Sequence, residues 1–187
     1  MILAFIGLVI AILIANAQPV APPTVYTTPA KLVVGKLPRE VAIAGQKPSA
    51  EIRGEARFTI AAANDNDTVA GIFEYALADE ARQRIAQLAG KPLAEIPAAV
   101  TLKEITAGFQ KNTGCPVVHL EITALEMDVA GVPVRFARAV VDVPELREGP
   151  EAQQEMTKLF CTWARQINAG RQRRGIIAAM NRLIAGE

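Results

Sequence analysis

Three side chains in this sequence have the residue types that thiol or metal chemistry needs. Cys115 and His119 lie four residues apart, and Cys161 is the second of only two cysteines in a 187-residue chain with one histidine. Thiolate sulfur and imidazole nitrogen bind copper and zinc. Most such sites use three or four protein ligands, and this sequence offers no further cysteine or histidine. Cys115, His119 and Cys161 are therefore a candidate metal site, although we expect the protein to need no cofactor.

The same two cysteines would form a disulfide in an exported protein, because disulfides persist in oxidising compartments. A Cys115–Cys161 bond would stabilise the fold by roughly 4 kcal/mol in the chain-entropy model. Ideal helical spacing places Cys161 about 140° from the apolar face of its predicted helix. The bond therefore requires the loop at 111–116 to cover this second side of the helix. The same side carries Thr157, Ala164 and Asn168.

Hydrolase chemistry finds little support in the sequence. Ser49 is the only serine, and it lies in a proline-rich stretch rather than on the rigid turn that a serine nucleophile needs. A cysteine–histidine nucleophile needs a free thiolate, which a disulfide would remove. The sequence contains neither a glycine-rich phosphate loop nor a CxxC pair. We therefore expect a protein that is not an enzyme.

Residues 1–17 have the pattern of an export signal. Met1 to Ala15 is an apolar run, shorter than the roughly 20 residues of a membrane span and typical of a signal peptide. Ala15 and Ala17 supply the small residues of a cleavage site, although no Lys or Arg precedes the run. We expect cleavage after Ala17 and a periplasmic or secreted protein. The alternative is an uncleaved segment 1–17 that anchors the protein in the inner membrane.

Proline separates this segment from the rest of the chain. Residues 18–50 hold six of the twelve prolines, and proline-rich segments tend to be extended. We expect a tether here, with a short strand at Lys31–Val34 or at Val41–Ala44. A single folded domain is expected at 51–187.

The first part of this domain predicts a β-hairpin. Side chains alternate between apolar and polar over Ile52–Ile60, as in a half-buried strand. The Asn and Asp residues at 64–67 favour a turn, and the alternation resumes over Val69–Leu77. For this second segment a helix beginning at Asp67 is the alternative.

The next segment contains a helix and an ambiguous stretch. We expect Asp79 to N-cap a helix that ends at Gly90. Residues 100–110 are either a strand or, if Thr101 and Glu104 form a capping box, a helix. The turn residues that follow favour the strand.

The strongest strand patterns are at Val117–Val129 and Val132–Val143. Ala130–Gly131 between them is suited to a tight turn, because glycine adopts positive φ. Along the first strand the apolar positions change from even to odd numbers near Ala124. This change of phase predicts a β-bulge there.

Two amphipathic helices end the sequence. The first is expected to open at Pro150 and to end at Gly170, and the second carries its apolar residues over 176–184. The region is also basic, with Arg171, Arg174 and Arg182. A membrane surface or a partner could contact these arginines. The simpler alternative is a helix that packs on the core with its arginines in solvent.

Together these elements predict an α+β fold: an antiparallel meander sheet of about five strands, with two C-terminal helices packed on one face. The net charge of +1 and the 5% aromatic content argue against nucleic acid as a partner. We expect an exported, non-catalytic bacterial envelope protein that binds a protein partner or a small ligand in the periplasm. The alternatives are a thiol- or copper-handling protein and a membrane-tethered component of an envelope complex.

Overall fold

The structure, a computed structural model, describes residues 26–37 and 51–187. The strands are β1 (Tyr26–Thr27), β2 (Lys31–Lys36), β3 (Glu51–Asn64), β4 (Thr68–Leu77), β5 (Ala99–Phe109), β6 (Val117–Val129) and β7 (Val132–Pro144). The helices are α1 (Asp79–Ala89), α2 (Glu151–Asn168) and α3 (Arg174–Ala185), with one 3-10 turn at Leu93–Glu95. The expected export segment at 1–17, the alternative strand at Val41–Ala44, and Ser49 lie outside the described residues.

The strands form one antiparallel sheet in the order β1-β3-β2-β7-β6-β5-β4, and β3 also pairs with β4. The sheet therefore closes on itself. The predicted α+β class, the antiparallel meander from β3 to β7 and the two C-terminal helices are confirmed. Among the residues that the structure describes, however, the sheet has seven strands and not about five. The two additional strands are β1 and β2. The short strand predicted at Lys31–Val34 is present as part of β2, whereas β1 has two residues, too few to show a period in the sequence.

Strand β2 completes the ring of strands. It pairs with β3 along its whole length and meets β7 at Lys36↔Arg135. Val33 and Leu37 are buried in the core. Residues 26–37 therefore belong to the folded sheet, upstream of the domain start expected at residue 51.

Aromatic side chains fill the inside of the closed sheet. Phe58, Phe73, Tyr75 and Phe136 are almost completely buried. The ring of Phe136 meets those of Phe73 and Tyr75 edge-on, with centroids 6.0 and 4.9 Å away, an arrangement that aromatic quadrupoles favour. Gly54 provides the space for one ring, since a Cβ there would lie 2.6 Å from Tyr75 Cζ.

The local predictions mostly agree with the structure. Both segments that could be strand or helix are strands, β4 and β5. Gly90 ends α1 with φ +63, as predicted, but Asp79 is the first helical residue and Ala78 is the N-cap. The Asp79 carboxylate instead faces the positive end of the helix dipole. Pro150 is likewise the residue before α2 rather than part of its first turn.

Strands β6 and β7 change phase together. The buried positions of β6 are even-numbered up to Ile122 and odd-numbered from Leu125, and Ala124 between them has φ +49. The predicted change of phase is therefore present, but the β-bulge predicted near Ala124 is not. The ladder keeps one register from end to end, because the buried positions of β7 also change from even to odd numbers opposite Ala124, at Ala137.

The C-terminal helices are attached to the β3–β4 hairpin by polar side chains. Asp67 Oδ1 accepts hydrogen bonds from Trp163 Nε1 of α2 at 3.1 Å and from Arg173 Nε at 2.7 Å. The side-chain amide of Asn181 on α3 exchanges two hydrogen bonds, of 2.8 and 3.0 Å, with the backbone of Ala63. Within the described ranges, no helix is both long and apolar enough to cross a membrane.

Candidate functional site

The hairpin of β5 and β6 is joined only near its turn. Its ladder contains two residue pairs, Gly108↔Glu121 and Phe109↔Leu120. On their other sides β5 pairs with β4 and β6 pairs with β7. Across the part of the chain that the structure describes, the facing edges of β5 and β6 have no further ladder pairs. The closed sheet is therefore split along most of β5 and the second half of β6.

The split forms a cleft of about 880 Å³, within the size range of ligand sites. Its apolar lining consists of Ile105, Phe109, Ile122, Ala124 and Leu125. Its ionisable residues are Glu104, Lys111, Glu121 and Arg138. Glu121 and Arg138 form an ion pair of 2.8 Å, and the two acids balance the two bases. The cleft therefore carries no net charge and combines apolar contacts with unpaired strand edges.

Each strand bends within its unpaired stretch. Glu104 on β5 has φ +58 and Ala124 on β6 has φ +49, a backbone conformation that costs an L-residue roughly 1–2 kcal/mol. On β5 an extra residue also shifts the register with β4 between Leu102 and Ile105, as in a β-bulge. Strain of this kind is often concentrated at functional sites. Glu104 and Ala124 both line the cleft, so strained backbone within the strands is concentrated there.

The closed end of the cleft is attached to α2. The ring of Phe109 lies 4.8 Å from that of Trp163 and 6.1 Å from that of Phe160, between centroids. Trp163 and Phe160 are fully buried. The turn end of the hairpin therefore cannot shift without disturbing the core, whereas the described strands form no ladder pairs across the cleft.

The disulfide predicted from the sequence is present and lies behind this closed end. Cys115, in the loop between β5 and β6, is bonded to Cys161 of α2, with Cα atoms 5.5 Å apart. The loop covers the second side of α2, as the helical spacing requires, and Asn168 Nδ2 donates to Thr113 O at 2.9 Å. Both cysteines of the chain are in this bond, so the oxidised protein has no thiol. An intramolecular disulfide is typical of proteins in oxidising compartments.

The group of potential metal ligands differs from the one expected. A carboxylate oxygen of Glu145, and not His119, lies with the sulfurs of Cys115 and Cys161, all within 4.8 Å of one another. His119 is directed elsewhere by its contact with Asp142. The structure therefore does not assemble the expected group of two cysteines and the histidine.

His119 instead belongs to a polar cluster on the outside of the sheet. Its Nδ1 is 2.7 Å from Asp142 Oδ1, which also accepts a hydrogen bond from Lys31 Nζ at 2.7 Å. Burial acts to raise the pKa of Asp142, but hydrogen bonds and charge from Lys31 and His119 outweigh it and hold the pKa below 3.8. Because Lys31 lies on β2, this cluster ties β2 to β7 where their ladder is short.

The three arginines expected to contact a membrane or a partner lie on the surface. They are Arg171, Arg174 and Arg182. None forms an ion pair with any residue that the structure describes. Ile177 and Met180 of α3 are buried against β3 and α2, so the apolar face of this helix is already occupied. Contact through the arginines stays a prediction.

The cleft itself was not predicted from the sequence. Two local signals lay at its edges: the change of phase at Ala124 and the strand-or-helix ambiguity around Glu104. Asp142 and Lys31 gave no signal, because single charged residues on alternating strand positions are ordinary surface residues. No protein-family model, curated protein or solved structure matches this chain.

Proposed function

We propose that this chain is an exported, non-catalytic binding protein that holds an extended peptide segment in the cleft between β5 and β6. One observation carries the proposal: two strand edges that pair with no described residue face each other across a cleft of about 880 Å³. Unpaired backbone N–H and C=O groups on an exposed edge bind another strand readily. Peptide recognition by strand addition uses such edges for affinity and side-chain contacts for specificity.

The side chains of β5 indicate which peptide fits. Val100, Leu102 and Ile105 face inward but are only partly buried, whereas inward residues of β6 such as Leu125 and Met127 are buried. An added strand with apolar residues at alternate positions would cover the partly exposed residues of β5. The balanced charges of the cleft favour a segment without strong net charge. The proposed ligand is therefore an uncharged, alternating apolar–polar strand.

Two features support an extracytoplasmic location. The apolar segment at 1–17 has the pattern of a signal peptide, and the Cys115–Cys161 bond suits an oxidising compartment. The cell envelope of a bacterium, and the periplasm in particular, meets both conditions. Intact mass of the protein recovered from a bacterial periplasm is the test: we expect a chain that begins at Gln18 with both cysteines oxidised. Recovery of a chain that still begins at Met1 would instead favour the anchored alternative.

Strand addition is tested with a phage-displayed library of random dodecamer peptides. We expect enrichment of alternating apolar–polar sequences, and we expect a selected peptide to slow hydrogen–deuterium exchange at 99–107 or 122–129. Slowed exchange elsewhere, or no enriched peptide, would overturn the proposal. If a bound ligand contacts the residues of the cleft but does not slow hydrogen–deuterium exchange at 99–107 or 122–129, it does not add a strand. That result would favour a small molecule as the natural ligand in place of a peptide.

A matched pair of substitutions places the binding site. Thr123→Arg puts a long charged side chain into the cleft, where Thr123 is exposed. Thr162→Arg adds the same side chain to an exposed position of α2. We expect the first to weaken binding of the selected peptide at least tenfold and the second to leave it unchanged. Equal affinities for both variants would contradict binding in the cleft.

A further inference from the structure

A group of three ligand atoms lies beside α2, behind the closed end of the cleft. The sulfurs of Cys115 and Cys161 and a carboxylate oxygen of Glu145 are all within 4.8 Å of one another. Three separate elements bring them together: the β5–β6 loop, helix α2 and the segment after β7. The backbone N–H of Glu145 donates to Pro116 O at 2.8 Å, which holds this acid next to the cysteine loop.

In the oxidised protein the two sulfurs bond to each other and neither is a thiolate ligand. Reduction by a dithiol transfers two electrons and two protons to this bond: it yields two thiols, and the dithiol becomes a disulfide. The two Cα atoms are 5.5 Å apart. A tetrahedral ion with sulfur bonds of about 2.3 Å needs its sulfurs about 3.8 Å apart, a separation that side chains on such a backbone can reach.

The charges of the reduced group favour a cation. Two thiolates and one carboxylate at this distance repel one another, because like charges this close interact strongly. The only histidine is hydrogen-bonded to Asp142, and Glu145 forms no ion pair with any residue that the structure describes. A divalent ion would neutralise this repulsion. Two sulfurs and one oxygen suit zinc, a borderline-soft ion, and leave one position for water.

We propose that the reduced protein binds one zinc-class divalent ion through Cys115, Cys161 and Glu145, and that oxidation of the two thiolates to the disulfide releases it. The oxidant is a disulfide of a second molecule, which takes up the two electrons with two protons from solvent and becomes a pair of thiols. Binding converts two thiols into two thiolate ligands and releases two protons. The site is separate from the β5–β6 cleft, and the proposal holds whether or not a peptide binds there. It also differs from the group expected from the sequence, because Glu145 takes the place of His119.

Cobalt(II) is the probe, because thiolate–cobalt bonds absorb strongly in the near ultraviolet. The full chain is titrated under argon before and after reduction by a phosphine. We expect one ion per reduced chain, with two protons released, and no binding by the oxidised chain. Zinc should then displace the cobalt. A reduced chain that binds no cobalt, or an oxidised chain that binds it equally, would overturn the proposal.

Substitutions separate this site from unspecific binding to thiols. Glu145→Gln keeps both cysteines, and we expect it to weaken cobalt binding tenfold or more. Glu148→Gln, three residues away and exposed, and His119→Ala should bind like the unmodified chain. Circular dichroism checks that each reduced variant remains folded. If Glu145→Gln binds as tightly as Glu148→Gln, or if only an unfolded reduced chain binds cobalt, the site is not the one proposed.

Discussion

Gly108 of β5 and Glu121 of β6 are the last cross-strand partners before their hairpin opens. The same register, if continued, would place Thr106 opposite Thr123, yet both residues line the cleft. Neither strand contains proline, so every backbone group needed for further pairing is present. A missing backbone group is therefore not the reason that β5 and β6 separate. The strands separate where each contains a residue with positive φ, Glu104 and Ala124, and where Phe109 near the hairpin turn is packed against α2.

The bend at Ala124 predicts an unusual stabilising substitution. Ala124→Gly should raise the free energy of unfolding by about 0.5–1 kcal/mol, because glycine adopts φ +49 without the Cβ clash of alanine. Ala137 lies opposite on β7, is equally exposed and is not among the positive-φ residues. Ala137→Gly should lower the same free energy by about 0.5–1 kcal/mol. Urea denaturation measures both, and a loss of stability in both variants would show that Ala124 carries no strain.

The hydroxyl of Tyr75 predicts a specific loss of stability. It lies 3.3 Å from Val33 O on β2 and from Ile52 O on β3, and burial raises its pKa to about 12. Tyr75→Phe should lower the free energy of unfolding by about 1–2 kcal/mol, because buried carbonyl groups lose a donor.

Tyr26 is the matched control for Tyr75. It is 3% exposed, and burial also raises its pKa to about 12. Its hydroxyl has no hydrogen-bond partner among the described residues. Tyr26→Phe removes a buried hydroxyl that lacks a partner, and it should therefore not lower the free energy of unfolding. Equal losses for the two variants, measured by thermal or urea unfolding, would contradict the role of the Tyr75 hydrogen bonds.

Asp142 predicts a dependence of stability on pH. Its folded pKa lies below 3.8, so the charged form is stabilised in the folded protein. This contribution is present above the unfolded pKa and is lost as pH falls through the lower folded pKa. Asp142→Asn should lower the free energy of unfolding by about 0.5–1 kcal/mol at pH 6. The difference in this free energy between the variant and the unmodified chain should become smaller below about pH 4.

Exposed Asp65 provides the control for Asp142. Asp65→Asn should leave the free energy of unfolding, and its change with pH, close to those of the unmodified chain. The measurement is urea denaturation at several pH values between 6 and 2.5. If the Asp142→Asn difference is constant over this range, Lys31 and His119 do not hold the carboxylate as described.

The exposed arginines predict contact with an anionic surface. If the full chain binds phosphatidylglycerol vesicles, replacing Arg171, Arg174 and Arg182 by glutamine should abolish most of this binding. Added salt should weaken the binding of the unmodified chain, because exposed charges are screened.

The control for this experiment removes three basic residues elsewhere on the surface: Lys91, Lys103 and Arg147. This variant has the same net charge as the arginine variant. It should bind the vesicles nearly as well as the unmodified chain. Equal losses in the two variants would show that only the total charge matters, and failure of the unmodified chain to bind would show that the prediction is wrong.

Local sequence patterns determined most of the elements of this protein. Alternation over Ile52–Ile60 and Val117–Val129 specified strands, because side chains of a strand point alternately to two faces. Gly90 and the Ala130–Gly131 turn marked where elements end, because these positions need positive φ. The change of phase near Ala124 was equally visible. Helical spacing even specified which side of α2 must be covered if Cys161 is in a disulfide.

Only the tertiary structure decided how the strands are joined and which side chains meet. Periodicity reports the face to which a side chain points, but it carries no information on which edge of a strand finds a hydrogen-bonding partner. The pairing of β1 and β2 with β3, the closure of the sheet and the cleft between β5 and β6 all depend on such edges. The contacts of Glu145 with the cysteines and of His119 with Asp142 likewise depend on how the strands and helices are arranged. Contacts between residues far apart in sequence follow from the packing of whole elements and not from local spacing.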